Sequence, residues 1–161
     1  MKELLTVTLA VILLTLNLVP FFIVLSLLFP ARLAKTQANV DRMPGRTFVI
    51  GMVNFLFLLL IALVFFSLGD KVGGPLKAVL MLPALVIIAA LFVAVSFGLG
   101  GVANSLGERL APDQSKWRQV LWGTLLLGLG CSVPIVGWFL LFPYAGWVGT
   151  GAFIISFFQK S

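Results

Sequence analysis

From Val120 to Phe158 the chain runs 39 residues without one charged side chain. As a single helix at ~1.5 Å per residue that stretch would be about 58 Å long, nearly twice the ~30 Å hydrocarbon core of a bilayer. It must fold back on itself. The rest of the 161 residues follows the same plan: 61% are hydrophobic, 10% are charged, and the charges fall between long apolar runs. In lipid a spanning segment has to satisfy its own backbone hydrogen bonds, so the expected fold is an all-α polytopic transmembrane helical bundle forming one integral membrane domain over 1–161.

Five spans are expected, at about 4–29, 47–68, 78–99, 118–133 and 138–158. The first is too long for a signal-peptide apolar region and is not followed by a small-residue cleavage site, so it reads as a true span with a kink at Pro20. A link containing Gly69, Asp70, Gly73, Gly74 and Pro75 turns the chain between spans two and three. In the last block two breakpoints compete. A turn over Pro134, Gly137 and Trp138 leaves two stretches able to cross, and a tight hairpin results. A turn at Pro143–Gly146 leaves a final piece of about 12 to 14 residues, short of the ~17 a span needs, and gives four spans.

Basic residues set the orientation. Arg32, Lys35, Arg42 and Arg46 lie between spans one and two, and Arg109, Lys116 and Arg118 lie between spans three and four. Five spans put Lys160 on the same side, against Lys2, Lys71 and Lys77 opposite, so the positive-inside rule places the N terminus outside and both larger loops in the cytoplasm. These seven loop residues are the expected contacts for anionic lipid headgroups or an acidic partner face, and the net charge of +6 reads as topology with no call on nucleic acid. Between Pro30 and Pro44, Leu33, Thr36, Val40 and Met43 share one helical face and Lys35, Asn39 and Arg42 the other, which suggests a short helix in the headgroup plane, the other reading being an ordinary basic loop.

Close helix packing is expected where side chains are small: the stripe Ala90, Ala94 and Gly98, and a second group at Gly146, Gly149 and Gly151. Asn17 and Asn54 are the polar exceptions in spans one and two and read as packing groups. Chemistry is not indicated. The chain has no His and one Cys, Cys131, so no cofactor or metal set is expected, and Glu108, Arg109 and Asp113 read as solvated charges at a helix end.

Leu28-Phe29-Pro30 closing span one, Pro44, Gly51, the element Leu106-Gly107-Glu108-Arg109-Leu110, Gly123 to Gly128, Pro134, Gly137-Trp138 and Gly149-Thr150-Gly151-Ala152 together resemble an uncharacterised bacterial multi-span domain. In many relatives that domain is a membrane anchor fused behind bactofilin-like, polymer-forming modules. The resemblance spans roughly 29–158 and implies the five-span layout without an established catalytic residue. Only three residues precede span one, so a polymer-forming role is not expected here. The function expected is a non-catalytic anchor, scaffold or accessory subunit in a bacterial inner membrane, bound to lipid and to another membrane protein or itself. The alternative is a small homo-oligomeric transporter or channel.

Overall fold

In the computed structural model, which describes residues 2–72, 74–133 and 136–158, the chain is helical nearly throughout. Its elements are α1 (Lys2–Leu28), α2 (Pro30–Arg42), α3 (Pro44–Lys71), α4 (Pro75–Leu110), α5 (Lys116–Ser132), a π-helical turn (Gly137–Leu141) and α6 (Phe142–Phe158). Among the described residues three helical stretches are long and apolar enough to cross a membrane: Pro44–Lys71, Pro75–Leu110 and Phe139–Phe158. Leu16–Leu28 and Pro30–Arg42 qualify as a fourth only when taken together, and they are bent by 108°.

Prolines decide where helices stop, but not all of them. Phe29, Met43 and Ala111 each precede a proline and adopt extended φ values of −129°, −143° and −142°, ending one helix before the next element begins. The cause is the clash of the proline ring with the preceding residue in αR geometry. Pro20 and Pro83, by contrast, lie inside continuous helices. Leaving the helix in an apolar stretch would strand several backbone groups in lipid, a larger penalty than the one donor each proline removes. The abrupt change of direction therefore comes at Phe29, where the expectation had a kink at Pro20.

α4 is the axis of the molecule and extends further than expected. It continues past 99 to Leu110, 36 residues or about 54 Å, and α2, α3, α5 and α6 all pack against it. Gly98, Gly100 and Gly101, at the expected end of span three near residue 99, lie inside it and are buried. Each glycine lowers helix propensity by about 1 kcal/mol relative to alanine. What offsets that loss is close contact: Gly100 receives Leu33, Leu25 and Phe22, and Gly101 receives Thr36.

The tightest contacts form two matched antiparallel pairs. On α3 and α6, a Cβ on Gly51 would overlap the carbonyl oxygen of Trp147, and one on Gly151 would overlap that of Thr47. On α4 and α5 the same relation joins Gly107 to the oxygen of Gln119 and Gly123 to that of Ala103. In both pairs each glycine points at the carbonyl four residues before its partner glycine, so a Cα–H faces an oxygen in both directions. Such contacts contribute about 0.5–1 kcal/mol each. A third crossing brings Gly98 of α4 against Gly149 of α6, backbone to backbone.

These crossings revise the expected packing residues. Gly98 and Gly149 are in contact as close-packing positions, but Ala90 is exposed and Ala94 only half-buried. Nothing lies within 4 Å of a Cβ built on Gly146. The stripe at i, i+4, i+8 thus turns away from its neighbours within two helical turns, because a helix crossing at an angle touches over a short length only.

α5 packs along α1 and α4, and α6 along α2, α3 and α4. They meet through the π-helical turn, where Gly137 lies against the carbonyls of Gly130 and Cys131. Pro134 and the Trp138 side chain, expected in this turn, lie outside the described residues, as does Lys160. At the opposite link Gly74 takes φ 71°, a left-handed value that glycine adopts without strain, and Lys77 pairs with Asp70 at 3.2 Å.

Candidate functional site: the basic end of the bundle

The antiparallel pairs bring the start of α3, the end of α4, the start of α5 and the end of α6 to one end of the molecule, and α2 lies across it. Its buried face is Leu33, Thr36 and Asn39. Asn39, expected on the polar face with Lys35 and Arg42, is 1% exposed and its Nδ2 donates to the carbonyl oxygen of Ala152 at 3.2 Å. The apolar face of the helix expected in the headgroup plane, with Asn39 added to it, instead covers the glycine-rich stretch of α4 and part of α6. Thr36 satisfies its own hydroxyl by donating to the Arg32 carbonyl at 3.0 Å, as threonine does in helices surrounded by apolar groups.

Polar side chains of α2 engage the last turns of α4. Asp41 Oδ1 accepts from Ser105 Oγ at 2.6 Å and from Arg109 Nη2 at 2.9 Å, while Gln37 Nε2 donates to Glu108 Oε2. Ser105 is 4% exposed, so its bond to a carboxylate falls in the ~1.5–3 kcal/mol class of charge-assisted bonds. The Arg109 ion pair is largely solvated and contributes at most about 1 kcal/mol. Glu108 and Arg109, read from the sequence as solvated charges, are therefore cross-links between two helices. Ser115 sits at the N-cap of α5 but makes no side-chain cap; its carbonyl accepts from Arg118 and Gln119 instead.

The seven expected basic contacts all occur at this end, in different settings. Arg42, Arg46 and Lys116 are exposed. Arg32 lies over the Phe157 ring at 4.4 Å, and Arg118 over Trp117 at 5.2 Å. Arg109 is held by Asp41, and Lys35 is half-buried. Below Arg32 an aromatic ladder runs Phe29–Phe97–Phe153–Phe157, with centroids 4.9–5.4 Å apart, tying the α1–α2 bend to α4 and α6. Edge-on and stacked pairs of this kind contribute ~0.5–1.5 kcal/mol beyond area burial.

A cavity of 310 Å³ opens between the end of α1, α2, the end of α4 and the start of α5. Its polar lining comes from Ser26, Gln37, Asn104, Glu108, Lys116 and Gln119, and Leu27, Leu33, Val120 and Trp117 supply apolar wall. Asn104 Oδ1 is buried with no hydrogen-bond partner. Glu108, Lys116 and Leu33 stand out in the sequence for their charge or their helical face, but nothing there joins them in a cavity. The cavity exists because α4 continues to Leu110 and α2 folds back on it. Thr150 Oγ1 in α6 is likewise buried without a partner, whereas Asn17 donates to the Leu13 carbonyl and Asn54 to that of Ile50, both at 2.8 Å. Among the described residues no group of three His, Cys, Asp or Glu is arranged to hold a metal ion.

Comparisons with protein-family models, curated proteins and solved structures find no match to this chain.

Proposed function

We propose that the chain is a non-catalytic anchor, scaffold or accessory subunit of a bacterial cytoplasmic membrane, crossing five times, with its N terminus outside and its basic end in the cytoplasm. The observation that carries this reading is the collection of Arg42, Arg46, Lys116 and Arg118 as exposed cations around one end of a bundle whose sides are apolar. Each cation near an anionic leaflet contributes about 1 kcal/mol, and the attraction fades within a Debye length of ~8–10 Å. Helices α1 and α5 supply the two further crossings, the 17 residues of α5 being near the lower length limit for a span. The resemblance to anchors of bactofilin-like proteins belongs to this proposal and points to a membrane-bound assembly as partner.

The transport alternative needs a polar path through the bundle, and Asn17 and Asn54 are occupied with their own helices. One reconstitution separates the readings. Trp117 and Trp122, each 50% exposed on α5, report neighbouring lipid through quenching by brominated phosphatidylglycerol or phosphatidylcholine. The expected result is a preference for phosphatidylglycerol that falls with salt and drops several-fold in Arg42→Ala/Arg46→Ala. A solute flux abolished by Asn54→Leu, with Arg42 and Arg46 dispensable, would overturn the anchor reading.

A further inference from the structure

The cavity at the basic end has a lining that a purely anionic ligand does not match. Lys116 is a cation with no ion pair among the described residues, and Glu108 lines the same cavity with a carboxylate. Gln37 donates to Oε2 of that carboxylate, which leaves Oε1 as a further acceptor. Asn104 also lines the cavity, but its Oδ1 is buried and out of a ligand's reach. One cation and one carboxylate in a single cavity fit a zwitterion: a phosphodiester at Lys116 and a primary ammonium at Glu108.

Size and position narrow the class. At 310 Å³ the cavity is at the lower end of the ~300–1,000 Å³ typical of small-molecule sites, room for a headgroup but not for acyl chains. Leu27 is 71% exposed and Trp117 50% exposed, so the wall between α1 and α5 continues outward as apolar surface. Tryptophan is favoured at this depth because its ring is apolar and its N–H polar. We infer that the cavity between α1, α2, α4 and α5 binds the headgroup of phosphatidylethanolamine, with the acyl chains leaving past Leu27 along α1 and α5. A choline headgroup has no N–H to give the Glu108 carboxylate, and a glycerol headgroup has no cation to give it.

The inference rests on the reading of this end as the membrane–water interface, and one assay tells the two apart. The full chain in mild detergent is loaded with phosphatidylethanolamine, phosphatidylcholine or phosphatidylglycerol, and retained lipid is counted by native mass spectrometry. Wild type is expected to keep one phosphatidylethanolamine at least tenfold better than phosphatidylcholine. Lys116→Met and Glu108→Gln should each remove most of that preference. Lys116 is exposed and makes no ion pair among the described residues, so an unchanged melting temperature in Lys116→Met separates lost binding from lost folding. Arg42→Ala/Arg46→Ala should keep the phosphatidylethanolamine preference, whatever it does to phosphatidylglycerol. Equal retention of ethanolamine and choline lipids, or a preference that survives both Lys116→Met and Glu108→Gln, would overturn the site. So would binding of soluble glycerophosphoethanolamine as tight as that of the lipid, since the acyl chains would then play no part.

Discussion

At the scale of single residues, the fold depends on where a side chain is forbidden. Gly107 and Gly123 each face a carbonyl oxygen on the opposing helix, and a methyl group at either position would push α4 and α5 apart. Overpacking of this kind costs about 1–3 kcal/mol, and here it also breaks the reciprocal Cα–H contact. Gly107→Ala is therefore expected to lower the melting temperature in detergent by several degrees. Gly146→Ala, with open space around it, should leave stability unchanged or raise it slightly through better helix propensity. Ala90→Leu on the exposed side of α4 should likewise be neutral. A Gly107→Ala protein as stable as wild type, or a collapse caused by Gly146→Ala, would show that other glycines form the crossings.

At the scale of elements, the decisive feature is α2 docked across α4. Asp41 is bound by both Ser105 and Arg109, so Asp41→Ala leaves a buried hydroxyl without its acceptor and an arginine without its partner. The expected effect is a loss of about 1–3 kcal/mol, with faster amide exchange in α2 than in α3. Exchange rates that do not change in α2 would mean that the helix is held by its apolar face alone. This docking also marks the limit of what the residues disclosed. The helix from Pro30 to Arg42 was legible because apolar and polar side chains separate onto two faces between prolines. Its partner was not, because hydropathy falls after Leu99 and the four glycines from Gly98 to Gly107 resemble a helix end. Only the close approach of Leu33 and Thr36 makes that glycine-rich stretch a good helix, and close approach is a property of two segments together. Gly51, Gly123, Gly149 and Gly151 are visible in the sequence as spaced glycines, but spacing within one helix does not reveal the partner. The cavity followed the docking out of sight, since Gln37 comes beside Asn104 and Glu108 only once α2 turns back through 108° at Phe29.

At the scale of the whole molecule, the account requires that α1, α4 and α6 run toward the basic end and α3 and α5 away from it. The two segments rich in arginine and lysine then share one face of the membrane, and the Gly74 link lies on the other. Lys71 stands beside that link, while Arg46 and Ser115 stand at the basic end, all three exposed. The most direct measurement is therefore the accessibility of Lys71→Cys, Arg46→Cys and Ser115→Cys, each in a Cys131→Ser background, to a membrane-impermeant thiol reagent in intact bacterial cells. Lys71→Cys should react at once, and Arg46→Cys and Ser115→Cys only after the membrane is permeabilised. Labelling of either Arg46→Cys or Ser115→Cys in intact cells would contradict the account.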